Sequence, residues 1–88
     1  MKVEFLTSFA RDLRKVRDKS LLQRVHGSIE QVEGASTAED ISQLRKLRGS
    51  DRYYRICLGD YRLGIVIEGE TVTFVQFLHR KDIYRYCP

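Results

Sequence analysis

Arg52 to Tyr61 reads RYYRICLGDY, and Arg62 to Ile67 continues it as RLGIVI. Two extended runs meet at Gly59-Asp60. A two-residue loop with glycine first suits a tight hairpin whose twist matches the strands it joins. That loop sets the register: Leu58 faces Tyr61, Cys57 faces Arg62, Ile56 faces Leu63 and Arg55 faces Gly64. Side chains alternate along a strand, so one face carries Tyr54, Ile56, Leu58, Tyr61, Leu63, Ile65 and Ile67. All are apolar or aromatic, and this face is a core. The other face carries Arg55, Cys57, Arg62, Gly64 and Val66. It sets two arginines near each other with a glycine beside them, which leaves room for a backbone or a phosphate to approach.

Downstream of the hairpin, Glu68-Gly69-Glu70 predicts a second tight turn. TVTFVQFL, from Thr71 to Leu78, is rich in β-branched and aromatic residues and predicts a central strand. His79 to Tyr86, HRKDIYRY, leaves that strand and suits a short C-terminal turn or helix. Upstream, Gly49-Ser50-Asp51 is a turn, and Ala35 to Asp40 is a polar loop or a single helical turn. ISQLRKLR, from Ile41 to Arg48, fits a helical face as well as an irregular extended segment.

The N-terminal half reads as a strand and two helices. Val3 to Leu6 is a short apolar run. Thr7 or Ser8 is placed to cap a helix whose apolar positions are Phe9, Leu13 and Val16. Asp18 can cap a second helix with Leu22, Val25, Ile29 and Val32 on its apolar stripe, ending at Gly34. Gly27 inside that helix suggests close packing between the two helices, and His26, off the stripe, reads as a surface residue. The order is β, α, α, β, β, β and a C-terminal turn. This predicts one α+β domain over residues 1–88, with a helical hairpin packed on an antiparallel-dominated sheet of about four strands.

Composition supports one modest core. The chain has 88 residues, 42% hydrophobic and 32% charged, with a formal net charge of +4. Met1 to Leu44 holds seven basic and seven acidic residues, whereas Arg45 to Pro88 holds nine basic and five acidic. The excess charge therefore lies in the half that contains the hairpin, which favours a polyanion or an acidic protein as partner. The sequence lacks an apolar run long enough to span a bilayer, and MKVEFLTSF lacks the apolar region of a signal peptide, so a cytoplasmic location is the default expectation. Cys57 and Cys87 show neither metal-ligand spacing nor a disulfide framework. No metal or cofactor is expected.

The arginine face suits phosphate chemistry. Cleaving RNA without a metal requires a 2′-hydroxyl to lose a proton, the phosphate to be held in line and the leaving 5′-oxygen to gain a proton. Arginine meets the charge on the non-bridging oxygens with a planar, always-charged fork. Histidine suits the proton transfers, and tyrosine can orient a group or stack on a base. Arg55, Arg62, His79, Arg80 and Tyr84 are these residue types. Each also has a plain structural reading: a solvated arginine, a histidine at a strand end, a tyrosine closing the core.

Three blocks together resemble one family: KLRG at Lys46 to Gly49, YYRICLGDYRLGI from Tyr53 to Ile65, and HRKDIYR from His79 to Arg85. In order and spacing, over the full chain, they are similar to the RelE/ParE superfamily of bacterial toxins. The resemblance implies the RelE-like fold and a small toxin encoded beside an antitoxin. RelE-like members cut mRNA, typically in the ribosomal A site, and leave a 2′,3′-cyclic phosphate. ParE-like members act on DNA gyrase and lack that chemistry.

Carried over by position, Arg62 matches the family's phosphate-contacting strand arginine, Arg80 a second catalytic arginine and Tyr84 the C-terminal tyrosine. His79 matches the acid or base of several branches. Arg55 stands where the best-known branch has a lysine. Cys57 stands where that branch has a second lysine, and a thiol does not replace that charge. Asp51 lies near the place of a glutamate used in other branches. The implied function is a ribosome-dependent mRNA endoribonuclease toxin. Arg55, Arg62 and Arg80 would hold the scissile phosphate, His79 would transfer the proton and Tyr84 would orient the nucleotide. Its implied partners are a cognate antitoxin, which would wrap the helices and sheet with an extended segment, mRNA and the ribosome. A ParE-like toxin that binds gyrase, or a catalytically weak RNA-binding member, is the alternative.

Overall fold

The computed structural model describes residues 1–47, 49 and 51–79. The elements run β1 (Lys2–Phe5), α1 (Thr7–Arg14), α2 (Lys19–Gly34), a 3-10 turn (Ala38–Asp40), β2 (Leu44–Lys46), β3 (Tyr53–Leu58), β4 (Tyr61–Glu68) and β5 (Thr71–His79). The five strands form one sheet in the order β1-β5-β4-β3-β2. β1 runs parallel to β5, and the other pairs are antiparallel. Both helices cover one face of this sheet, which confirms the α+β class.

The β3–β4 hairpin has the register that its loop sets. Leu58 pairs with Tyr61, Cys57 with Arg62, Ile56 with Leu63 and Arg55 with Gly64. Gly59 has φ +59°, and Asp60 has no positive φ, the pattern of a type II′ turn. The β4–β5 turn repeats it, with Gly69 at φ +60°. The core follows from the apolar face of the hairpin. Ile56, Leu63, Ile65, Val72 and Phe74 are buried under Phe9 of α1 and Leu21, Val25 and Val32 of α2. Each such side chain contributes about 1.5–3 kcal/mol of hydrophobic stabilisation relative to exposure.

The sheet has five strands rather than about four. The added one, β2, comes from the segment ISQLRKLR. Its three residues are too few to show a period, and pairing with β3 makes them a strand: Leu44 lies opposite Ile56, Arg45 opposite Arg55 and Lys46 opposite Tyr54. The backbone enters it through Gln43 at φ 63°.

Three local expectations change. α1 begins at Thr7 with Leu6 in the cap position and no side-chain cap, while Ser8 donates instead to the Val75 carbonyl at 2.6 Å. Gly27 is exposed, and a Cβ added there would meet nothing within 4 Å, so it marks no close helix packing. The stripe of α2 begins at Leu21 rather than Leu22. Asp18 does cap α2, accepting from the backbone N–H groups of Ser20 and Leu21 at 2.9 and 3.2 Å. Among the described residues no helix is long and apolar enough to cross a membrane.

One irregularity in β5 governs where the candidate residues point. Gly64 pairs with Gln76, but Ile65 pairs with Phe74, so Val75 is an extra residue on β5. Such a bulge inverts the facing of everything after it. Phe74 and Phe77 are three residues apart, and both are buried in the core. α1 secures the bulge on its other edge. The Ser8 hydroxyl donates to Val75, and the Asp12 carboxylate accepts from the Phe77 N–H at 3.0 Å. Both groups would otherwise face the place where β1 has already turned away.

Candidate functional site

The face without helices carries the arginines. Cross-strand pairing sets Arg45, Arg55, Gly64 and Gln76 in one row across β2, β3, β4 and β5. Cys57, Arg62 and Leu78 form the next row. Neither row contains a carboxylate. Arg55 and Arg62 are both half-buried, so their charges sit against the sheet rather than free in solvent.

Arg62 is held by its own hairpin. Its Nη1 donates to the carbonyl oxygens of Gly59 at 2.6 Å and Tyr61 at 2.8 Å. Its Nε is buried and has no acceptor among the described residues. A buried donor with no acceptor calls for an explanation, and an oxyanion beside a guanidinium is one that satisfies it. The cation is therefore already oriented before any ligand arrives, which is what stabilising a developing negative charge requires.

The room beside Gly64 is not empty. A Cβ at Gly64 would lie 2.8 Å from Gln76 Cγ, so the Gln76 side chain lies over the glycine. The expected space for a backbone or phosphate is thus filled by a flexible amide. Cys57 is a free, half-buried thiol opposite Arg62. Asp51 lies 3.9 Å from the ammonium of Lys46. Arg45 had no place in the sequence reading because β2 was not legible. Its place on this face follows from the β2–β3 pairing, with Leu44 beside it packed on the core, and no local pattern in the sequence marks it.

His79 lies elsewhere. It pairs with Tyr61, which is on the helix side of the sheet. Its ring meets the Tyr61 ring edge-on at 5.4 Å, and Tyr61 stacks on Phe77 at 5.2 Å. It lines a cleft of about 410 Å³ between the α1–α2 corner and the ends of β4 and β5, together with Asp12, Lys15, Arg17 and Asp18. The structure thus brings Arg55 and Arg62 together and sets His79 on the opposite face. Arg80 and Tyr84 lie outside the described residues. Among the described residues no group of three or more His, Cys, Asp or Glu side chains is placed to hold a metal ion.

Fold and site together define a small α+β domain with a helical hairpin on one face of a mixed sheet and a preoriented arginine cluster on the other. Residues 3–84 match the sequence model of the ParE toxin of type II toxin–antitoxin systems. Toxin RelE3 of Methanocaldococcus jannaschii is 38% identical over 89 residues, covering 100% of both chains. The crystal structure of the RelB-RelE antitoxin–toxin complex from Methanococcus jannaschii contains a chain of the same fold. Its TM-score is 0.79 at 34% identity, over 97% of this chain and 99% of that one. The RelBE2 toxin–antitoxin complex of Mycobacterium tuberculosis matches with a TM-score of 0.64 at 28% identity, over 90% of each chain. This chain belongs to the RelE/ParE superfamily of type II toxin–antitoxin toxins, and it has the RelE-like fold.

Proposed function

We propose that the chain is an mRNA endoribonuclease toxin that inhibits translation by cutting message on the ribosome. The observation that carries the reading is the pair of adjacent arginine rows without a carboxylate, with Arg62 locked to its own turn beside Arg55. Arg55 and Arg62 bind the scissile phosphate, joined by Arg80, and Tyr84 orients the nucleotide. The 2′-hydroxyl attacks the phosphorus, the P–O5′ bond breaks, and the products carry a 2′,3′-cyclic phosphate and a 5′-hydroxyl. No metal or cofactor takes part. Its setting is the cytoplasm, where the ribosome and message are found.

His79 is the proposed proton-transfer group. As the last residue of β5, on the helix side, it can serve only where RNA passes around the strand end. A large rate loss in His79→Ala at unchanged stability keeps it in the chemistry. Lost stability with the rate intact assigns it to packing on Tyr61 instead.

The partner that restrains the toxin is a cognate antitoxin. Relatives of this chain are found in RelB-RelE and RelBE2 antitoxin–toxin complexes. An extended antitoxin segment, ordered on binding, suits a domain of this size.

A second reading has its own support. The matching sequence model is that of ParE toxins, and Cys57 supplies no charge where a basic residue would strengthen the site. On that reading the arginine face binds a protein such as gyrase, or RNA without cutting it. Induced expression separates the readings, with primer extension on a reporter message. Growth arrest with discrete cuts, lost in Arg62→Ala, supports the nuclease. Arrest without cuts supports the gyrase-directed toxin, and no arrest from soluble protein supports the weak RNA-binding member.

A further inference from the structure

Among the described residues β1 is an edge strand with a single strand neighbour, β5. The N–H groups of Lys2 and Leu6 donate inward, to the carbonyls of Glu70 at 2.8 Å and Phe74 at 3.0 Å. Backbone groups alternate in direction along a strand, so those of Val3 and Phe5 point out from the sheet. A row of outward groups is a template for another strand unless proline, a bulge or charge blunts it. β1 has neither proline nor bulge. Its apolar side is open at this edge, with Phe5 52% and Leu6 45% exposed. Val3 packs on the core, so alternation puts Lys2 and Glu4 on the helix-free face. There Lys2 Nζ lies 3.9 Å from Glu4 Oε1, and both side chains are exposed.

Charge decides which strand fits this edge. A second β1 laid antiparallel, with Val3 opposite Val3, exchanges two backbone hydrogen bonds at that residue. The same register sets Lys2 of each copy opposite Glu4 of the other, and opposite charges across a strand pair stabilise it. Centring the pairing on Lys2 or on Glu4 sets like charges together instead. The other edge of the sheet, β2, carries Arg45 and Lys46 and no acidic residue, so it repels its own copy. We propose that two copies of this chain pair through β1, antiparallel about Val3, joining their sheets edge to edge. Strands of four residues bury little area, so the dimer is weak and reversible. The pairing uses none of the arginines assigned to RNA and stands apart from the nuclease reading.

The test is sedimentation equilibrium of the purified full chain over a micromolar to submillimolar series. The wild type should move from the mass of one chain toward that of two. Lys2→Glu alone and Glu4→Lys alone each set like charges across the pair, and each should stay monomeric. Their melting temperatures should hold, because an exposed ion pair contributes little to folding. Mixing the two monomeric variants should restore association as a heterodimer, since the acidic edge of one then meets the basic edge of the other. Both substitutions in one chain should restore the homodimer, which a misfolded variant would not do. A wild type that is monomeric throughout, or mixed variants that fail to associate, would overturn the pairing. A monomeric wild type whose Val3 and Phe5 amides become protected from exchange only when the antitoxin is added would overturn it too, and would give the edge to the antitoxin.

Discussion

The two faces of the sheet are built from alternate residues of the same strands, yet they do different work. The helix-covered face holds Ile56, Leu63, Ile65, Phe74 and Phe77 at nearly zero exposure, and its interactions are apolar. The opposite face holds Arg45, Arg55 and Arg62 with no carboxylate in their rows. Stability should therefore reside on one side of the sheet and phosphate chemistry on the other. His79 tests where that division lies, because the bulge at Val75 moves it to the stabilising side.

The largest expected effect falls on the covered face. Phe74→Ala removes a fully buried ring that contacts Phe5 and Phe9. It should cost about 3–5 kcal/mol of folding stability, read by denaturant unfolding. A change under 1 kcal/mol would mean that this face is not the core. On the other side, Arg62→Ala should lower single-turnover cleavage by about 10²–10³, the loss typical of one preoriented donor. Its unfolding midpoint should change far less than that of Phe74→Ala. If the two variants exchange these signatures, the separation of faces is wrong.

Asp12→Ala probes the link between α1 and the bulge. The carboxylate accepts from the Phe77 N–H, and its removal strands that donor, at a cost of about 1–3 kcal/mol. Amide hydrogen exchange at Phe77 should quicken in this variant, and unchanged exchange would show that the bulge holds without α1. The smallest effect is expected at Gly27, on the outer surface of α2 and away from both faces. Because an added Cβ meets nothing there, Gly27→Ala should stabilise by about 0.5–1 kcal/mol and leave cleavage untouched.

Much of this division was legible in the sequence. Gly59-Asp60 fixed the hairpin register residue by residue, and with it the faces of Arg55 and Arg62. Asp18 marked the start of α2 through its own carboxylate. What stayed hidden depends on pairing rather than on local pattern. β2 is too short to show alternation, so no local pattern marks the face of Arg45. The parallel β1–β5 pairing has no local signature in KVEF. The bulge is the most consequential case. Strict alternation from Val72 would put His79 on the face of the arginines, and one extra residue at Val75, pinned by Ser8 and Asp12, reverses it. The sequence TVTFVQFLH shows no glycine or proline to announce that reversal.

The measurement that tests the arginine face most directly is single-turnover cleavage of message on programmed ribosomes by wild type, Arg62→Ala and His79→Ala, with analysis of the product ends. The account predicts discrete cuts with 2′,3′-cyclic phosphate ends from the wild type, and their near-complete loss in Arg62→Ala at preserved folding. Cuts by Arg62→Ala at the wild-type rate, or no cuts by the wild type, would contradict it.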